Sequence, residues 1–133
     1  MIPRPRRRHR DESGVSSVEL VLYMPLLMFV IFIVVQFALV WYGNQAASAV
    51  ARETARNARV YVDEGRARET GYRYAATIAD GVLEDVRITV TAVGDNRVRV
   101  TVTGRAQEIS PIGVPTVSQS VEGPIEEFQE DAP

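Results

Sequence analysis

"LVLYMPLLMFVIFIVVQFALVWY", Leu20 to Tyr42, decides the fold of this chain. Gln36 is its one clearly polar side chain, and Pro25 its one helix breaker. A helix over this run is roughly 34 Å long at ~1.5 Å per residue, enough to cross a bilayer core of ~30 Å. The core helix of a soluble protein could share the composition. The rest of the chain, however, is too small to cover so long a rod that is apolar on every side. A cleaved secretory signal is the competing reading, because "AASAVA" at Ala46–Ala51 contains small-x-small patterns. A secretory apolar core has roughly 7–15 residues, and this one is longer. The run is therefore expected to stay in the protein as a membrane helix, within residues 15–43.

The flanks assign an orientation. Arg4, Arg6, Arg7, Arg8 and Arg10 crowd the leader, residues 1–14, whereas Arg52, Arg56 and Arg59 follow the run at a distance. Such a bias keeps the N-terminus in the cytoplasm and sends the C-terminal part across, with Trp41 and Tyr42 in the outer aromatic belt. A basic N-terminal block can also bind nucleic acid, but directly before an apolar run it sets orientation, so no nucleic-acid partner is expected. Glu122, Glu126, Glu127, Glu130 and Asp131 make the other end acidic.

Chemistry is limited by what the 133 residues lack. There is no cysteine, and the one histidine, His9, lies in the arginine-rich leader. Beyond the membrane run there is no histidine, lysine or cysteine, and the acids are scattered or in the tail. Acid–base catalysis needs a poised pair in a pocket, and no such pair is visible. No carboxylate spacing suits a metal, and the glycines fall at turns, not in a phosphate loop. The expectation is no enzyme, no cofactor, no metal and no small-molecule substrate.

Glu19 stands at the lip of the apolar run, where a charge is costly. "SSVE" places Ser16 three residues ahead of it, the spacing of a capping box in which Ser16 caps the helix. The acid would also favour the positive helix end. This reading leaves Gly14 and the basic leader unexplained. Taken together, Gly14, then Val15, Ser16, Ser17 and Val18, then Glu19 and a long apolar helix resemble the processing site of type IV pilin-like precursors. The resemblance implies that a prepilin peptidase cuts between Gly14 and Val15, making Glu19 the fifth mature residue. The new ammonium on Val15 would lie near lipid, where a neighbour's Glu19 can neutralise it during assembly.

A narrower resemblance covers more of the chain. "ASAVARETARNARV" (Ala47–Val60) is similar to the alanine–arginine helix that follows the anchor in TadE-like minor pilins, or pseudopilins, of tight-adherence systems. Pro25 sits where such proteins carry an early proline, and "VSQSVEGPIEEF" (Val117–Phe128) resembles their closing segment. Asp11 and Glu12 interrupt the basic leader, a departure from the pattern. The implied partners are membrane lipid, the prepilin peptidase, other pilins and the Tad assembly platform. The implied place is the cytoplasmic membrane or the pilus built on it. The alternative is an unprocessed single-pass protein whose external domain binds a ligand or partner.

Pro25 removes the helical partner of the Val21 carbonyl, so a local bend is expected. Gln36, eleven residues on, shares its face, either as a tolerated polar residue or as a seam for another helix. The domain outside is expected to be α+β. Residues 44–62 read as a helical stalk with a stripe of Ala47, Val50, Ala51, Ala55, Ala58 and Tyr61, and with Glu53 able to pair with Arg56. That stripe packs either on this chain's own domain or on another subunit. Within residues 63–122, a break at Asp63–Gly65 precedes a second helix over 66–83, weakened by Gly71 and Gly81, with Tyr72, Ala75, Ala76, Ala79 and Leu83 on one face. Alternation over Val86–Val93 and Arg97–Gly104 around "GDN" predicts a β-hairpin, with Val86, Ile88, Val90, Val98, Val100 and Val102 inward and the second helix as cover. Thr116 to Val121 can add a strand. Residues 123–133 read as an acidic flexible tail.

Overall fold

The computed structural model describes residues 13–61, 63–109 and 113–125, residues 13–16 by backbone alone. Arg6, Arg7, Arg8 and Arg10 of the leader and the acidic residues beyond Ile125 lie outside the described residues. The chain runs through two helices and three strands: α1 (Ser13–Tyr61), α2 (Glu64–Ile78), β1 (Leu83–Ala92), β2 (Arg97–Ala106) and β3 (Thr116–Pro124). The strands form one antiparallel sheet in the order β1-β2-β3. The architecture is α+β, with a long N-terminal apolar helix that continues into the domain.

α1 has 49 residues, roughly 74 Å at ~1.5 Å per residue, and continues through Pro25. Its halves differ in what they touch. From Val18 to Val35 the large side chains face outward. From Gly43 onward one stripe turns inward: Ala46, Ala47, Val50, Ala51, Thr54, Ala55 and Ala58 are buried. The stripe packs on its own chain's sheet, and small side chains let the helix approach it closely. Tyr61, expected on this stripe, is instead exposed, with the Arg66 guanidinium 5.5 Å from its ring centre. Glu53 accepts from Asn57 Nδ2 at 3.1 Å rather than pairing with Arg56.

The second helix starts and stops earlier than its periodicity suggests. Asp63 caps it, its Oδ1 accepting from the amides of Gly65 and Arg66 at 2.9 and 3.1 Å. Gly81, at φ +70, turns the chain into β1, so Leu83 belongs to a strand. Ala67, Gly71, Ala75 and Ala79 are the buried positions of this segment, whereas Ala76 is exposed. Tyr72 lies partly in solvent, with its hydroxyl accepting from the Ile88 amide at 3.1 Å.

Gly71 marks the helix crossing. A Cβ there would overlap Thr54 Oγ1 and lie 3.0 Å from Ile88 Cδ1. The glycine thus sets the closeness of α1 and α2 and is not merely a weak point in α2.

The hairpin has the expected faces: Ile88, Val98, Val100 and Val102 are buried, and Val86 and Val90 pack on the core. A bulge between Glu84 and Arg87, with Asp85 at φ 52, shifts the phase. This lets Leu83 and Ile88, of opposite parity, point to one core. The main cover of the sheet is α1 over β2 and β3, while α2 flanks α1 and reaches β1. The second helix is therefore not the principal lid. β3 runs on through Gly123 and Pro124.

Candidate functional site

The surface of greatest functional interest is the exposed apolar half of α1 and its junction with the domain. The 18-residue window that qualifies as a candidate span has a mean hydropathy of 2.7 and no buried share. One helix near the N-terminus is thus long and apolar enough to cross a membrane. That fits a single-pass membrane protein.

Within α1, Gly14 and Val15 lie on helical backbone one and two residues past its start. Ser16 is inside the helix, three residues after Ser13, so it is not the cap that the box spacing suggests. Glu19 is exposed on the helix surface, outside its first turn. Pro25 lies within the exposed run. The structure brings neither Gly14 nor Glu19 against the domain.

Gln36 behaves differently. Its Nε2 donates to the Gln107 carbonyl at 3.2 Å, and its Oε1 accepts from the Ile109 amide at 3.1 Å. Both ends of the side-chain amide thus clasp the backbone at the start of the β2–β3 connection. Of the two readings, a tolerated polar residue or a seam for another helix, neither describes this contact, which is with the chain's own loop. Two turns on, Asn44 adds a single link: its Oδ1 accepts from Gln119 Nε2 of β3 at 2.9 Å, while its Nδ2 donates to the Val40 carbonyl of its own helix at 3.0 Å. Gly43 sits between the two contacts, where a Cβ would meet Leu83 Cδ2 at 3.2 Å and Ala106 Cβ at 3.3 Å. Helix and domain are thereby joined by two hydrogen bonds at Gln36, one at Asn44 and close packing between them. Periodicity cannot reveal such pairing, because the Gln36 partners are 71 and 73 residues away in sequence.

A second feature is a cleft of about 540 Å³ between α1, α2 and β3, lined by Arg52, Arg56, Arg59, Tyr74 and Glu122 among others. Glu122 is held by Arg97 and Arg99 across the sheet. Arg59 lies against Gly123, and its buried Nε has no acceptor. Its charged lining is three arginines and two glutamates, Glu53 and Glu122. Among the described residues no group of three or more His, Cys, Asp or Glu could hold a metal ion.

The family model described as "TadE-like protein" matches residues 14–56. The match opens at Gly14 and runs through Glu19, the apolar run and the first part of the buried stripe. No curated protein matches the chain. No solved structure matches it either.

Proposed function

Starting from residues 14–56 as a TadE-like segment, we propose that this chain is a minor pilin-like component of a Tad-type pilus or a related secretion apparatus. The observation that carries the reading is where the match begins: at Gly14, with Glu19 five residues on and the apolar helix directly after.

In this reading the chain inserts with its N-terminus in the cytoplasm and its α+β domain outside. A prepilin peptidase removes the leader after Gly14. The Gly14–Val15 bond lies on helical backbone, so the peptidase must unwind that turn. Glycine lowers the cost of unwinding by about 1 kcal/mol relative to alanine. Cleavage leaves an ammonium on Val15 beside lipid, and Glu19 of an adjacent subunit neutralises it, so that two isolated charges become one pair. The exposed apolar face of α1 then packs against other pilins or the assembly platform. The chain's role is structural, without catalytic chemistry.

Glu19→Ala in the native host tests this. The expected outcome is normal membrane insertion with piliation lost or strongly reduced. Unchanged piliation would contradict the assigned role of the carboxylate. The arginine-lined cleft favours a second reading, in which an unprocessed, membrane-tethered domain captures a partner. That version keeps its leader.

A further inference from the structure

The Gln36 clasp bears on how deep α1 sits in a membrane. Trp41 and Tyr42, both exposed, stand about 8 Å nearer the domain than Gln36 along the helix. Were Trp41 the edge of the hydrocarbon, the clasped backbone of Gln107–Ile109 would lie about that far inside the lipid. So would the exposed Glu108 side chain. A charge and irregular backbone are unfavourable there. The edge therefore belongs at the clasp, with Trp41 and Tyr42 among the headgroups.

Counting from there fixes the other end. About 30 Å of hydrocarbon is some twenty residues of helix, which reaches from Gln36 back to Ser16. A tilt of about 20° extends the span to Val15. Glu19 then lies about 4–6 Å inside the opposite edge. With the edge at Trp41 instead, the count ends at Val21, and Glu19 stands among the headgroups.

We infer that Gln107–Ile109, held by Gln36, is a membrane-contact surface that rests in the headgroup layer and sets the height of the whole chain, drawing Glu19 into the hydrocarbon edge. The partner is a lipid surface, met by the exposed Ile109 together with Phe37 and Trp41, which are 71% and 61% exposed on the adjoining helix. The inference rests on the membrane-spanning part of the proposed function. It gives Gln36 an indirect influence on assembly: the residue sets the depth of a carboxylate about 26 Å away along the helix.

The chain has no cysteine and one tryptophan, so site labels are unambiguous. Full-length Ile109→Cys and Val18→Cys proteins, each carrying a bimane, are reconstituted into phosphatidylcholine–phosphatidylglycerol vesicles with spin-labelled lipids of graded depth. Trp41 quenching reports insertion independently. The expected result is quenching of Trp41 and of the residue-109 label by shallow probes, with the residue-18 label inside the hydrocarbon. Adding Gln36→Leu should at least halve quenching at 109 and move the residue-18 label about 7 Å towards the headgroups. A residue-109 label that stays unquenched beside a quenched Trp41 overturns the inference and leaves the anchor intact. An unmoved residue-18 label in the Gln36→Leu protein also overturns it. An unquenched Trp41 overturns the spanning reading itself.

Discussion

Gly71→Ala is a demanding test of the packing because two effects oppose each other. Alanine is the better helix former by about 1 kcal/mol, so an uncrowded site would gain stability. At Gly71 the new methyl overlaps Thr54 Oγ1 and lies 3.0 Å from Ile88 Cδ1 and 3.2 Å from Thr54 Cβ. Thr54 has no exposed surface, and its hydroxyl donates to the Val50 carbonyl at 2.8 Å, so it cannot simply swing away. Overpacking of this kind costs about 1–3 kcal/mol. The overlap with Thr54 Oγ1 is severe, which places the cost in the upper half of that range, so the net expectation is a loss of about 1–2 kcal/mol. Backbone hydrogen exchange of the full chain in detergent micelles reads this directly. The slowest amides of β2 should exchange about 5- to 30-fold faster. Thr54→Ala removes the worst overlap, so the double variant should be at least ~1 kcal/mol more stable than additivity predicts. A stabilised Gly71→Ala, or strictly additive changes, would refute the close crossing of α1 and α2.

Two further substitutions probe the domain. Val100→Ala empties a fully buried site at the centre of β2 and should cost about 2–3 kcal/mol, read by the same exchange measurement. Asp63→Ala removes the cap of α2 and should cost about 1 kcal/mol, with faster exchange confined to Gly65 and Arg66 if fraying is local.

The long helix and the hairpin were legible in sequence because each follows a single physical rule. An all-round apolar run from Leu20 leaves few options besides a membrane, and Val98, Val100 and Val102 alternate without interruption. The misplaced features lie where two rules coincide or where contacts are distant. Leu83 continues the helical spacing of Tyr72, Ala75 and Ala79, and only the backbone at Gly81 and the bulge at Asp85 assign it to a strand. Gly71 looks like a flaw in a helix until Thr54, seventeen positions earlier in sequence, is seen against it. Gln36 reads either as a tolerated polar residue or as a seam for another helix, because nothing local announces the loop that returns to it. At Glu19 the sequence offered a cap and a processing motif. The start of α1 at Ser13 places Ser16 inside the helix and not at its cap, and the TadE-like match opens at Gly14, the ground on which the second reading is proposed.

The central claim is that this chain works as a processed pilin-like subunit, and intact-mass analysis of the protein from piliated cells of its native host tests it most directly. The account predicts a mature chain beginning at Val15, with the arginine leader gone. A chain that still begins at Met1 in cells carrying working fibres would contradict it.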